Sequence, residues 1–171
     1  MAFLNCGDLW EPEKLERQIR FMEDNGYSFS YTKFRMVDRH SKDLGLEVGG
    51  LERVTHRDFF LCCWPAYLTV IYDAQKVGLL QVTHLKENND YALWLDVSEK
   101  ADCYLLKEPL GSLRLMKSWY NPFPVRDKLR WRYEVYRKVE DLNPLVSAFM
   151  TVVNLMNGIL KKLRYGRTIT R

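Results

Sequence analysis

Cysteine and histidine are both scarce in this chain. The four cysteines, Cys6, Cys62, Cys63 and Cys103, include no Cys-x-x-Cys spacing. Adjacent Cys62 and Cys63 cannot easily pair, so reduced, buried thiols are expected rather than a disulfide framework. His40, His56 and His84 are scattered without ligand spacing, which argues against a zinc site. No run reaches the roughly 18 uninterrupted apolar residues of a membrane-spanning helix. Met1 leads into a short apolar run with no basic segment or cleavage site, so no signal peptide is expected. Repeats and low-complexity tracts are missing as well. A cytoplasmic protein is the expectation.

What is present is a core-forming composition and an uneven charge. At 171 residues and 47% hydrophobic, the chain can bury a single-domain core. Residues 126–171 carry 11 Lys or Arg against 4 Asp or Glu, whereas the preceding 125 carry 15 against 18. A basic C-terminal region either faces something anionic, such as the inner membrane surface, or is a solvated helix face. Lys128, Arg130, Trp131, Arg132 and Arg137 have the ingredients of a nucleic-acid patch but match no binding module, so no nucleic acid is expected.

Along the chain, Phe3-Leu4 reads as the end of a short strand. A helix is expected from Pro12, burying Leu15, Ile19 and Met22 and stopping at Gly26. Residues 27–37 alternate as a strand, with Tyr27, Phe29 and Tyr31 on one face and Ser28, Ser30 and Thr32 on the other. The switch to Phe34 and Met36 predicts a bulge near Lys33. Residues 38–50 read as turn and loop, His56 to Cys63 as a short helix, Leu68 to Tyr72 as a buried strand, and Asp73 to Val77 as a turn ending at Gly78. Asn88 to Lys100 reads as a helix. Two short strands follow, Cys103 to Leu106 and Ser112 to Met116, separated by Pro109 and Gly111, and then an aromatic, proline-rich loop over 119–125.

Two helices close the chain. The first, Arg126 to Asp141, carries Leu129, Tyr133, Tyr136 and Val139 on one side, with Glu134 placed to pair with Arg130 and Lys138. The second opens with Asn143 as cap and Pro144 at its first position. Its narrow polar stripe, Ser147, Thr151, Asn154, Gly158 and Lys161, opposes a wide apolar surface that must be covered. Either that surface packs on the domain or a partner helix, or it lies in a membrane interface with Lys161, Lys162, Arg164 and Arg167 on lipid phosphates. The expected organisation is an α/β unit over 1–125 and a basic, amphipathic helical extension over 126–171.

Asn88-Asn89-Asp90-Tyr91-Ala92-Leu93-Trp94-Leu95 puts a carboxylate at the mouth of an aromatic-rich helix. Asparagine caps helices well, leaving Asp90 in the first turn, where the dipole favours a negative charge. A carboxylate aimed out of a helix mouth suits a general base; otherwise it simply decorates a helix start.

Asn5-Cys6-Gly7-Asp8-Leu9-Trp10 running into Pro12-Glu13-Lys14-Leu15-Glu16-Arg17-Gln18-Ile19 joins that motif. With Tyr27–Thr32 and Leu68–Asp73 between them, the blocks resemble, in order and spacing, the acceptor-side (C-terminal) half of a bacterial family 2 glycosyltransferase of GT-A type. The resemblance covers most of residues 2 to 140. It implies a partial GT-A-like α/β fold: a mixed short sheet with flanking helices and two C-terminal helices.

The resemblance also implies chemistry. A sugar passes, with inversion, from a nucleoside-diphosphate donor to a hydroxyl of a glycan or lipid-linked acceptor, as in surface-polysaccharide synthesis. Asp90 falls where the family places its base, although the usual preceding Glu is here Asn89; Tyr91 and Trp94 would shape the acceptor pocket, with core packing the alternative for Trp94. The family's leaving diphosphate is neutralised by Mg or Mn held by carboxylates, but those positions are Asn5 and Gly7, so no metal or other cofactor is expected for this chain. Asp8 is left either as a nucleotide contact or as a cap of the next helix, and Arg114 as a phosphate contact or a solvated surface Arg. The strands that hold the nucleotide normally precede the motif. The chain is therefore expected to be inactive alone. The rival expectation is a non-catalytic module that docks on a partner transferase subunit, a second copy or a membrane surface.

Overall fold

The structure is a computed structural model describing residues 1–80, 85, 89–115 and 124–168. It is α/β, built on a mixed seven-stranded sheet. The strands are β1 (Leu9–Trp10), β2 (Phe29–Val37), β3 (Asp43–Val48), β4 (Arg53–Val54), β5 (Val70–Tyr72), β6 (Cys103–Arg114) and β7 (Gly166–Thr168). The main path runs β1-β6-β2-β3-β7, with β4 on β6 and β5 on β2. Among the described strands, only β2 and β6 pair in parallel. Helices α1 (Lys14–Asn25), α2 (His56–Leu61), α3 (Ala74–Val77), α4 (Asn89–Ser98), α5 (Val125–Lys138) and α6 (Pro144–Tyr165) complete the fold, α5 and α6 being the expected C-terminal pair.

β2 sits between β6 on one side and β3 and β5 on the other, so both of its edges are paired, and side chains on both of its faces are buried. Its pairing with β6 slips on either side of Lys33, where the change of apolar face predicted a bulge. The slip also lets Pro109 and Gly111 ride inside one continuous strand: β6 is not the two short strands expected, because Pro109 sits opposite Lys33 at the irregularity, where ladder bonding is already interrupted. β3 lies in the stretch read as loop. Its glycine-rich, charged sequence hid a strand that pairs with β2 and β7. Leu68 and Thr69 form a 3-10 turn ahead of β5, and Asp73 caps the helical turn α3 by accepting from the Gln75 N–H at 2.9 Å. Near the N-terminus only Ala2 makes a bridge, to Ile71, in place of a strand ending at Phe3-Leu4. Most of the aromatic loop at 119–125 lies outside the described residues, as does Asn88.

α1 turns the other way from its apolar pattern. It starts at Lys14 after Glu13 rather than at Pro12, and buries Lys14, Gln18 and Met22. Leu15 and Ile19 are 43% and 44% exposed. The surface beneath explains it. Gln18 Nε2 donates to Ser30 Oγ and to the Thr69 carbonyl, both at 3.0 Å, and Lys14 Nζ donates to Gln18 Oε1. The second face of β2 is polar, and buried polar groups require partners more than they require apolar cover.

α4 is the central helix, with Tyr91 to Leu95, Val97 and Ser98 all buried. Around it, Phe29 stacks on Phe59 at 5.6 Å, and Phe3 packs its edge against Trp94 at 5.3 Å. α2 is fixed by a complete Thr55/Asp58 capping box, and α6 by Asn143, whose side chain accepts from the Val146 N–H at 3.0 Å.

Candidate functional site

Asp90 stands in the first turn of α4, half-buried, with Oδ1 accepting from the Tyr91 N–H at 2.8 Å. Four other segments contribute around Asp90 and the side chains next to it. Tyr67, in the 3-10 turn, has its phenol pushed up by burial and by the Asp90 charge. Cys63, after α2, has its thiol pushed up to about 12, by burial first and then by Asp90, with Arg132 and Lys161 opposing. Arg132 of α5 lies over the Tyr91 ring at 4.1 Å. Phe3, from the motif segment, reaches Tyr67 at 5.0 Å. The neighbouring phenol and thiol thus keep their protons at neutral pH.

Tyr91 and Trp94 do not line an open acceptor pocket. Both are interior, at 1% and 0% exposed. The Tyr91 hydroxyl donates to the Phe59 carbonyl at 2.8 Å and accepts from Asn154 Nδ2 at 2.9 Å; Asn154 also donates to the Tyr136 hydroxyl at 3.0 Å. Trp94 packs among Phe3, Phe29 and Tyr67. A helix covered on nearly every side leaves Asn89 and Asp90 in its first turn, and Asp96 further along, partly exposed. Tyr67 and Arg132 are the neighbours that sequence reasoning missed. Tyr67 carries no local signal, and Arg132 looked like one of several basic residues on a terminal helix.

Asp8 and Arg114 are brought together. Asn5 to Asp8 forms a turn closed by the Asp8 N–H on the Asn5 carbonyl at 3.1 Å, with Gly7 at a positive φ of 105°. Asp8 Oδ1 accepts from the Arg114 N–H at 2.9 Å. The Arg114 guanidinium donates to the carbonyls of Gly7 and Arg39, at 2.5 and 3.1 Å, and to Ser41 Oγ at 2.8 Å. Asp8 therefore does not cap α1, whose N-cap is Glu13; it pins the motif turn to the end of β6. The residues here do not fit a divalent metal. Asp8 offers the one carboxylate of the turn and already accepts an N–H, and among the described residues no three His, Cys, Asp or Glu side chains converge to hold an ion.

A mixed sheet with an acidic residue at the mouth of a buried helix is consistent with a GT-A-like nucleotide-diphospho-sugar transferase fold. Comparison with known proteins bears on the class. The chain is 27% identical over 166 residues to a putative teichuronic acid biosynthesis glycosyltransferase, TuaG, of Bacillus subtilis, covering 95% of this chain and 65% of that protein. It is 22% identical over 163 residues to an uncharacterized glycosyltransferase of Haemophilus influenzae, covering 94% and 64%. It is 30% identical over 97 residues to the Escherichia coli enzyme WfgD, a UDP-Glc:alpha-D-GlcNAc-diphosphoundecaprenol beta-1,3-glucosyltransferase, covering 57% and 37%. No protein-family model matches the chain. The chain is a relative of bacterial glycosyltransferases, and it spans just under two thirds of the length of the first two.

Proposed function

We propose that the chain is the acceptor-side part of an inverting family 2 glycosyltransferase of GT-A type that transfers a sugar from a nucleotide donor to a lipid-linked or glycan acceptor in surface-glycan assembly. One observation carries the reading: Asp90 is a half-buried carboxylate in the first turn of a largely buried helix, beside the protonated Tyr67 phenol and Cys63 thiol. The names of TuaG and WfgD support the acceptor and donor classes.

In this reading the acceptor hydroxyl donates its proton to the Asp90 carboxylate as its oxygen bonds to the anomeric carbon. The bond from that carbon to the nucleoside diphosphate breaks, and the electron pair leaves with the diphosphate. Tyr91 fixes the base through its backbone N–H, Tyr67 stands beside it, and Arg132 covers the ring of the adjacent Tyr91. Asp8 and Arg114 hold the motif turn in place. Neutralisation of the leaving diphosphate is not assigned to Asn5, Gly7 and Asp8, which form no metal site.

The test joins this chain to the part of TuaG outside the matched region and follows labelled sugar from UDP-glucose into a GlcNAc-diphosphate-lipid acceptor. Asp90→Asn should lower kcat by roughly 10²–10⁴-fold with the fold unchanged. An active fusion indifferent to Asp90→Asn would refute the assignment. The rival reading, a docking module, gains from the outward face of α6.

A further inference from the structure

α6 is packed with its polar stripe inward. Ser147, Thr151 and Asn154 are buried, and Lys161 Nζ donates to the backbone carbonyls of Cys63 and Trp64. The apolar side faces outward: Leu145 is 84% exposed and Leu163 77%, with Phe149, Val152, Met156, Ile159 and Leu160 all exposed between them. At about 100° per residue these side chains fall within one arc of about 100°. Lys162 and Arg164, both exposed, stand on opposite borders of that arc.

Beside the arc, α5 and α6 enclose a cleft of about 290 Å³. Val125, Leu155 and Ile159 supply its apolar wall, and Lys128, Arg132 and Lys162 its cations; among the described residues no acidic side chain lines it. Arg132 Nη1 is buried and has no hydrogen-bond partner among the described residues. Ile159 belongs to both the cleft and the exposed arc, so the two surfaces are continuous.

We propose that α6 is an interfacial membrane helix, its apolar arc sunk into an anionic bilayer and a lipid phosphate held in the α5–α6 cleft by Lys128, Arg132 and Lys162. By length and composition α6 could cross a membrane, being 22 residues long and holding an 18-residue stretch of mean hydropathy 1.2. Its buried stripe forbids that, because Asn154 is tied to Tyr91 and Tyr136 inside the domain, and a helix so anchored lies along the surface. Docked in parallel through the same arc, a second copy would set the Lys162 and Arg164 borders of two chains against each other. A bilayer offers instead acyl chains for the arc and phosphates for its edges. The proposal does not depend on the transfer reaction.

The test is co-sedimentation of the full chain with vesicles of phosphatidylcholine alone or with added phosphatidylglycerol. Binding should be more than tenfold tighter to the anionic vesicles. Phe149→Gln with Ile159→Gln should weaken it more than tenfold while circular dichroism and melting stay unchanged, since both side chains are exposed. Lys128→Gln with Lys162→Gln should abolish the preference for phosphatidylglycerol. The proposal is overturned by a chain that ignores both vesicles, by binding indifferent to the Phe149/Ile159 pair, or by a solution dimer that this pair dissociates in the absence of any vesicle affinity.

Discussion

Lys14→Met tests the orientation of α1, because it removes an ammonium while keeping an unbranched apolar stem. Burial holds the Lys14 ammonium down to about 8, against an ordinary value of 10.5. Its nearest groups are neutral: the Gln18 side chain, the Thr69 carbonyl at 3.5 Å and the Trp10 ring at 5.1 Å. The folded chain therefore releases this proton before the unfolded chain does. Below pH 8 the buried charge opposes folding by about 3 kcal/mol. As pH rises from about 8 to 10.5 the unfolded state binds the extra proton and stability climbs; by pH 9 about 1 kcal/mol of the opposition is relieved. Buried thiols act in the other direction. Cys63 and Cys103 keep protons that the unfolded chain loses above about pH 9, so their stabilisation fades there. The difference between wild type and Lys14→Met cancels those thiols. Urea denaturation at pH 7, 8 and 9 under reducing conditions should show the gap between the two proteins moving by about 1 kcal/mol in favour of wild type. The offset at any one pH also contains the lost bonds to Gln18 and Thr69, so the slope is the readout. Parallel profiles would mean that the ammonium is hydrated and that Leu15 and Ile19, not Lys14 and Gln18, face the sheet.

Asn154→Leu removes the amide that donates to both buried phenols, and should cost about 2–3 kcal/mol and expose α6 to limited proteolysis; an unchanged denaturation midpoint would contradict the inward polar stripe. Gly111→Ala places a Cβ 2.8 Å from the Leu68 methyl and 3.4 Å from the Leu9 carbonyl, and should cost about 1–3 kcal/mol by urea unfolding. A neutral result there would mean that β1 and β6 are not as closely apposed as their register requires.

Local chemistry was readable wherever it was self-contained. Asn143 with Pro144 starts α6, and the change of apolar face at Lys33 marks the register slip. Asp90 fell in a helical first turn because its placement depends only on the start of its own helix. Trp94 takes the core-packing role that its sequence already offered, whereas the interior position of Tyr91 was not readable, since what covers a helix is decided by segments distant in the chain. β3 and the continuous β6 were hidden for a related reason: glycine and proline read as breaks unless the partner strand supplies an irregularity that accommodates them.

The two helices whose orientation follows neither amphipathic pattern share one cause. Sequence periodicity says which residues would share a face, not which face docks. Under α1 lie the Ser30 hydroxyl and the Thr69 carbonyl; under α6 lie the phenols of Tyr91 and Tyr136. Leaving such groups dry and unpaired costs on the order of 1–3 kcal/mol each, comparable with burying a leucine. When two or more of them share a docking surface, the polar stripe wins the contact and the apolar side is displaced outward. An apolar face turned out in this way is a by-product of satisfying polar groups, so it marks a binding surface only where something independent names the occupant. α1 has Leu15 and Ile19 outside and no such second feature. α6 has cations on both borders of its arc and a cationic cleft continuous with it, and on that difference the membrane assignment rests.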